Sequence, residues 1–149
     1  MKQSTDTLLM IRPASFRMNE ETAVNNYFQQ KDDLETSANE LAQKEFDAFV
    51  AQLRKNDVHV IVVDDDKNLD IPDALFPNNW VSFHENGVVG LFPMFAENRR
   101  RERREEVIEQ IEAEGFQVKN FIDYTDAEND AVFLEGTGSL VLDRTNKKA

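Results

Sequence analysis

The 149-residue chain contains no cysteine, which excludes disulfides, thiolate metal sites and a nucleophilic cysteine among these residues. It has two histidines, His59 and His84, and their separation is not a metal-ligand spacing. No apolar run approaches the roughly 18 residues of a membrane span, and the beginning of the chain lacks the apolar segment of a signal peptide. We therefore expect a cytoplasmic protein that uses no membrane, metal or other cofactor.

Positive charge is also scarce. The chain has 17 Lys and Arg against 29 Asp and Glu, a formal net charge of -12. Because contact with phosphates needs a basic face, this balance argues against a nucleic-acid partner. The length suits one domain, or part of one, with a core of ordinary size.

Hydrophobic patterning in the first part of the chain predicts an α/β unit. The short apolar run at residues 8–11 predicts a buried strand, and a loop is expected over residues 14–33. Residues 35–55 carry apolar side chains at spacings of three to five, which predicts a helix with one apolar face. The β-branched run at 58–63 predicts a second buried strand.

The middle of the chain predicts a strand, strand, helix, strand module. Strands are expected at residues 80–84 and 88–92, joined by Glu85-Asn86-Gly87, because Asn-Gly is a strong hairpin signal. Asn98 is predicted to cap a helix that runs to about Glu114. A further strand is expected at residues 116–122.

The last segment predicts a strand that a glycine-containing bend interrupts. Residues 131–134 and 139–142 are its two apolar parts, and residues 135–138 form the bend. The modules of the chain are then roughly 1–66, 72–123 and the start of a third at 130–149. Such an arrangement leaves strand edges that need partners.

The first segment that can carry chemistry is the polar loop at residues 72–80, which leads directly into a strand. Asp73, Asn78 and Asn79 can offer oxygens and N–H donors to a planar, nitrogen-rich group such as guanidine or urea. The alternative is an Asx-rich turn whose side chains satisfy their own backbone.

The second segment, residues 98–104, has five arginines at a predicted helix start. Helix N-termini and guanidinium groups both bind anions, so this cluster favours an anion site. The alternative is a solvated face, with the arginines paired to neighbouring glutamates: Glu97, Glu102, Glu105 and Glu106.

The third segment is Leu134-Glu135-Gly136-Thr137-Gly138-Ser139. Glu135 follows an apolar run and precedes a bend, and a partly buried carboxylate is costly unless it serves a partner. The alternative is an exposed strand end.

Taken in order, these segments resemble the arginine deiminase, dimethylarginine dimethylaminohydrolase and amidinotransferase superfamily. The motifs are Asp73-x-x-Phe76-x-x-Asn79, Asn98-Arg99-Arg100 and Leu134-Glu135-Gly136. Within it, the citrulline-utilisation hydrolase branch is most similar, and the likeness extends from Leu8 to Arg144. Its motifs here are Ile11-Arg12-Pro13, Phe76-Pro77-Asn78-Asn79-Trp80 and Glu135-Gly136-Thr137-Gly138-Ser139.

The resemblance implies a pentein fold, a five-module α/β propeller on a full chain about twice this long, of which these residues are the N-terminal part. In that family a cysteine attacks a guanidinium or ureido carbon, a histidine acts as general acid and base, and a glutamate orients the histidine. The family places that cysteine and histidine after the Glu-Gly segment, and this chain does not supply them there. We therefore expect the 149 residues alone to be inactive.

The resemblance also implies a role for each matching residue. Glu135 matches the histidine-orienting glutamate, and Arg99 or Arg100 matches an arginine that binds the substrate's carboxylate, with the register within 99–104 open. The remaining substrate-binding matches are Asn79 for an aspartate, Asn78 as its neighbour, Phe76 in the same motif, and Asp73 near the substrate's amino-acid end.

Asn79 departs from the family pattern. A carboxamide lacks the negative charge that would favour a cationic guanidinium, so we expect a ureido substrate such as citrulline rather than arginine. The alternative function is a non-catalytic pentein-like binding module, since the fold also serves as an interaction surface. In either case we expect the remainder of the propeller, or another subunit, to cover the exposed edges.

Overall fold

The computed structural model describes residues 2–24 and 38–149, which form a mixed α/β structure with small sheets. The strands are β1 (Thr7–Arg12), β2 (His59–Asp64), β3 (Val81–Phe83), β4 (Val88–Leu91) and β5 (Asn120–Asp123). The helices are α1 (Glu20–Ala23), α2 (Ala38–Lys55), α3 (Glu97–Arg100), α4 (Glu105–Ala113) and α5 (Gly136–Ser139). Two 3₁₀ helices lie at Pro77–Asn79 and Thr125–Asp130.

The first sheet is the parallel pair β1 and β2, in register from Thr7 opposite His59 to Arg12 opposite Asp64. Helix α2 packs its apolar face, Phe46 and Val50, against Val60 of β2. Both predicted strands and the predicted helix are confirmed, although the expected helix start at residues 35–37 lies outside the described residues.

The expected loop over residues 14–33 contains a short helix, α1, and its part from residue 25 onward lies outside the described residues. The Asn19 side chain caps α1 by accepting a hydrogen bond from the Glu21 N–H at 3.1 Å. Periodicity gives no signal for a helix of four residues.

The second sheet has the order β3-β4-β5, with β3 antiparallel and β5 parallel to β4. The predicted hairpin is confirmed. Its turn closes with the Gly87 N–H donating to the His84 carbonyl at 2.8 Å. Gly87 has φ +83°, and a Cβ there would lie 2.6 Å from the carbonyl oxygen of Gln117.

The helix predicted from Asn98 to Glu114 is wrong in its first part, because the chain forms two helices, α3 and α4, with a turn between them. Asn98 does not cap a helix. It lies inside α3, where Ala96 holds the N-cap position, and its side chain is buried against Asn19. Tertiary hydrogen bonds of this segment override its local helix preference. Strand β5 is also shorter than the predicted 116–122.

The strand predicted over residues 131–134 and 139–142 is wrong. Ala131 adopts a left-handed conformation, φ 55°, and the Val132 N–H donates back to Ala127 at 3.0 Å. Residues 136–139 form the single turn α5, which packs on the 3₁₀ helix Pro77–Asn79. The glycines in this segment provide a close contact with that helix and not a bend within a strand. The module boundaries 1–66, 72–123 and 130–149 stay predictions.

One apolar core joins the two sheets. Its buried members come from the first sheet, the loop between β2 and β3, the hairpin, the segment between β4 and α3, and α4: Ile11, Val63, Ile71, Ala74, Trp80, Val81, Val89, Met94 and Val107. Strand β5, by contrast, is exposed along its length. Over residues 2–24 and 38–149, no helix has the length and hydropathy needed to cross a bilayer.

Candidate active site

The three sequence motifs meet at the carboxylate of Glu135. Its Oε2 accepts a hydrogen bond from Nδ2 of Asn79 at 2.9 Å, and its Oε1 accepts one from the Phe95 N–H at 3.1 Å. Nη1 of Arg99 lies 3.6 Å from Oε2. Residues that lie far apart in sequence therefore hold one half-buried carboxylate in a fixed orientation.

Two glycines allow this approach. A Cβ at Gly136, which has φ +40°, would lie 2.3 Å from the carbonyl oxygen of Asn78. A Cβ at Gly138 would lie 3.0 Å from the side chain of Asn79. The segment that follows Glu135 can therefore lie directly on the 3₁₀ helix that carries Asn79.

Asp73 is 4% exposed, and its Oδ2 lies 4.0 Å from Nε of Arg99. Its Oδ2 accepts hydrogen bonds from Nδ2 of Asn19 at 2.8 Å and from Oγ1 of Thr22 at 3.2 Å. Asn19 also exchanges side-chain hydrogen bonds with Asn98, at 2.8 and 3.2 Å. Sequence reasoning missed Asn19 and Thr22. The available signal was an Asn at a helix N-cap position before two glutamates.

Arg99 is the centre of the polar cluster. Its Nε and Nη2 donate to the two oxygens of Glu102 at 2.8 and 3.0 Å. Nη2 also donates to the carbonyls of Asp73 and Phe76, at 3.4 and 3.3 Å. The side chains of Arg99 and Glu102 are 5% and 1% exposed, so this is a buried ion pair. Glu102 was predicted only as a partner in a solvated face.

The charges of the cluster shift its pKa values. Burial raises the pKa of Glu102 to about 7, although the hydrogen bonds and charge of Arg99 oppose this. The negative charges of Asp73 and Glu135 raise it further. Burial alone would lower the pKa of Arg99, but the hydrogen bonds and charge of Glu102 raise it overall. Arg99 therefore stays cationic, and Glu102 titrates near neutral pH.

The other arginines of the 99–104 cluster reach protein oxygens in different directions. Arg100 donates to the carbonyls of Met94 and Phe95, at 3.1 and 3.3 Å, and lies 3.3 Å from Glu128. Arg103 forms a two-point pair with Glu128 at 2.6 and 3.1 Å. Arg101 and Arg104 donate to the carbonyls of Leu69 and Asp64, both at 2.9 Å. Glu128 was another residue that sequence reasoning missed.

Two predicted residues are less enclosed. Phe76 is 45% exposed, and Asn78 is exposed while its carbonyl accepts a hydrogen bond from Thr137 at 3.3 Å. A separate cavity of about 560 Å³ lies between α4 and β5, lined in part by Trp80 and Phe121. Neither Asn79 nor Glu135 lines that cavity. We place the candidate site at Glu135, because the chemistry-bearing side chains meet there.

The histidines do not join this site. Nε2 of His84 lies 3.0 Å from Oγ of Ser82, and burial lowers the pKa of His84. His59 lies on β2, with Nε2 3.3 Å from Glu114. Within the described ranges, no group of histidine, aspartate and glutamate side chains is arranged to hold a metal ion.

Residues 12–149 match the family model described as N,N dimethylarginine dimethylhydrolase, eukaryotic. A comparison with curated proteins gives no match.

Solved structures with the same fold include unliganded AgrE, with a TM-score of 0.63 and 22% identity. They also include the N-terminal domain of ArgZ, as a variant covalently bound to a reaction intermediate, with a TM-score of 0.59 and 20% identity. The same values hold for apo ArgZ, described as an arginine dihydrolase from the ornithine-ammonia cycle in cyanobacteria. In each comparison 93% of this chain is covered.

The chain spans only part of these structures, 18% of AgrE, 45% of the ArgZ domain and 19% of apo ArgZ. The family match, by contrast, covers nearly all of the 149 residues. The chain therefore belongs to the N,N-dimethylarginine dimethylhydrolase family of the pentein superfamily, the superfamily that its Asn79, Arg99 and Glu135 motifs resemble.

Proposed function

We propose that these residues form the N-terminal part of a pentein hydrolase that acts on the guanidino or ureido carbon of an arginine-like amino acid. The observation that carries the proposal is the 2.9 Å hydrogen bond between Asn79 and Glu135. This contact joins the residue proposed to bind substrate to the glutamate proposed to orient the histidine. Hydrolysis adds water across a C–N bond, and the nitrogen leaves as ammonia or an alkylamine.

In this proposal Glu135 orients a histidine and stabilises its protonated form. The histidine acts as general acid and base, and a cysteine attacks the carbon. The chain has no cysteine, so the nucleophile comes from outside these 149 residues. The Glu135 carboxylate is already fixed by Asn79 and the Phe95 N–H. The chain thus contributes positioned groups and is inactive without the rest of the site.

Asn79 is the proposed determinant of the preference between a ureido and a guanidino substrate. Its Nδ2 donates to Glu135, and a carboxamide brings no negative charge to the substrate. A neutral ureido group such as that of citrulline is therefore favoured over a cationic guanidinium. Asp73, Phe76 and Asn78 complete the proposed substrate loop.

Arg100 is the better candidate of the two arginines for the substrate's carboxylate. Its side chain is 29% exposed, against 5% for Arg99. Arg99 is also held by Glu102 at two points, whereas Arg100 binds mainly carbonyls.

The rest of the site is proposed to lie in further modules of the propeller or in another subunit. Exposed apolar side chains are concentrated on β5 and in the segment that follows it: Phe121, Ile122, Tyr124, Val132 and Leu134. Packing of another module on this face would bury apolar surface and pair the free edge of β5.

The test uses the protein expressed from its own reading frame. Its intact mass and its release of ammonia or dimethylamine from L-arginine, N,N-dimethylarginine and L-citrulline are measured together. We expect a mass of about twice 17.2 kDa and C–N hydrolysis of at least one substrate. A 17.2 kDa protein that releases no product, alone or with its natural partners, would instead make this chain a non-catalytic binding module.

A further inference from the structure

Glu102 holds Arg99 at two points. The planar guanidinium donates from Nε and Nη2 to Oε1 and Oε2, at 2.8 and 3.0 Å. Paired hydrogen bonds of this kind fix the rotation of the guanidinium as well as its position. The backbone supports the same arrangement, because the Glu102 N–H donates to the Arg99 carbonyl at 3.0 Å.

The remaining face of Arg99 is directed to the candidate site. Nη1 lies 3.6 Å from Oε2 of Glu135, and Nη2 donates to the carbonyls of Asp73 and Phe76. One guanidinium therefore joins the substrate loop to Glu135. A rotation about its Cδ–Nε bond would disturb these contacts together.

Three carboxylates compete for the single guanidinium of Arg99. The carboxylates of Asp73, Glu102 and Glu135 lie within 4.0 Å of its guanidinium, and all three are at least half-buried. Without the negative charge of Glu102, Nε is free to pair with Asp73, whose Oδ2 lies 4.0 Å away, and Nη1 can then move relative to Glu135. The orientation of the Glu135 carboxylate would then change with it.

We propose that Glu102 is a positioning residue, which holds the Arg99 guanidinium beside Glu135 and so, together with Asn79 and the Phe95 N–H, keeps that carboxylate in its orientation. Glu102 does not contact substrate in this arrangement. Arg99 then acts on Glu135 and the substrate loop, which differs from the carboxylate-binding role that the family resemblance implies for Arg99 or Arg100. The consequence for catalysis rests on the proposed function, but the consequence for geometry does not.

Titration of Glu102 supports the proposal. Burial raises its pKa to about 7, and the groups that face it are Arg99, Asp73 and Glu135. Above this pH the carboxylate accepts both hydrogen bonds from Arg99, and below it the protonated acid holds Arg99 more weakly. Activity is therefore expected to rise with pH through about 7.

The kinetic test compares Glu102→Gln with Glu106→Gln in the native protein. Both remove one negative charge, but the Glu106 side chain is 60% exposed on α4. We expect Glu102→Gln to lower kcat about tenfold or more and to change KM less than about threefold. The rise of activity with pH near 7 should also be absent from this variant. Equal kcat and equal pH profiles in the two variants would overturn the proposal. Glu102→Asp, which keeps the charge but shortens the reach, should retain the rise of activity with pH but with reduced kcat.

The geometric test needs no turnover. In the native protein, the ¹H–¹⁵N signal of Arg99 Nε should shift with a midpoint near pH 7, and this transition should disappear in Glu102→Gln. If the signal behaves so while no variant hydrolyses any substrate, the positioning role stands and the proposed function fails. If hydrolysis is present but the Arg99 signal is indifferent to Glu102, the positioning role fails.

Discussion

Asn19 shows, at the residue scale, how an uncharged side chain supports the site. It is fully buried, donates to Asp73 at 2.8 Å and exchanges hydrogen bonds with Asn98. Its distance in sequence from both partners hides this role. Propensity and spacing describe neighbours along the chain, whereas this contact depends on the packing of α1 against the loop that carries Asp73.

Asn19→Ala should destabilise the protein by about 2–4 kcal/mol. The substitution removes both side-chain hydrogen bonds of buried Asn98 and one of the two that Asp73 Oδ2 accepts, and leaving buried polar groups unpaired costs more than the net value of the lost hydrogen bonds. Urea unfolding gives the free energy. Asn68→Ala is the control, because Asn68 is exposed and bonds only locally to Asp66. A difference below about 0.5 kcal/mol between the variants would contradict the role of Asn19.

Glu102 should make stability fall as the pH rises. Its pKa is about 7 in the folded protein against an ordinary value of 4.5 for a glutamate, so the folded state retains a proton that the unfolded state releases between these values. The free energy of unfolding then decreases as the pH rises from about 4.5 to about 7, by up to about 3 kcal/mol.

This pH dependence is measured by denaturant unfolding from pH 4.5 to 8. Glu102→Gln has no such proton to release, so its stability should rise relative to wild type across that window. A constant difference between the two proteins would contradict the assigned titration of Glu102.

Asn79→Asp should shift selectivity toward cationic substrates. The new carboxylate adds a negative charge that attracts a guanidinium and gives no comparable gain with a neutral urea. We expect the ratio of kcat/KM for arginine to that for citrulline to rise about tenfold or more in the native protein. An unchanged ratio would remove the electrostatic reason for a ureido preference, whatever happens to the absolute rates.

The clearest signals at the element scale were local. The hairpin follows from Asn86-Gly87, and α2 and the β1–β2 pair follow from apolar spacing. The helix at 98–114 was predicted as one because its residues favour helix locally, but the chain turns at Arg101 so that Glu102 and Arg104 are buried. Those burials depend on contacts with Arg99 and the Asp64 carbonyl, which no local pattern contains.

Gly136→Ala should break the contact between α5 and the Pro77–Asn79 helix. Its φ of +40° and the 2.3 Å approach to the Asn78 carbonyl leave no space for a Cβ. Gly115→Ala is the matched control, because Gly115 has φ +100° but nothing within 4 Å of a Cβ. We expect Gly136→Ala to cost about 1–3 kcal/mol more than the control. NMR should also show altered signals at Asn79 only in Gly136→Ala.

At the scale of the whole molecule, sequence motifs indicated the superfamily, and the structure brings residues of those motifs together. Asn79, Arg99 and Glu135 come from separate segments and meet in one polar cluster. The sequence did not predict that Asn19 and Thr22 bond to Asp73, or that Glu102 is buried and paired with Arg99. These contacts form only when the elements pack. The propeller stays a proposal, and so does the source of the nucleophilic cysteine, which these 149 residues do not contain.

The most direct test of the account is the effect of Glu135→Gln on kcat/KM in the native protein. The variant keeps the size of the side chain but removes the charge that is proposed to orient and stabilise the histidine. We predict a fall of about 100-fold or more, against little change for Glu85→Gln in the exposed hairpin turn. A kcat/KM for Glu135→Gln within about threefold of wild type would contradict the claim that the Asn79–Glu135 contact is part of an active site.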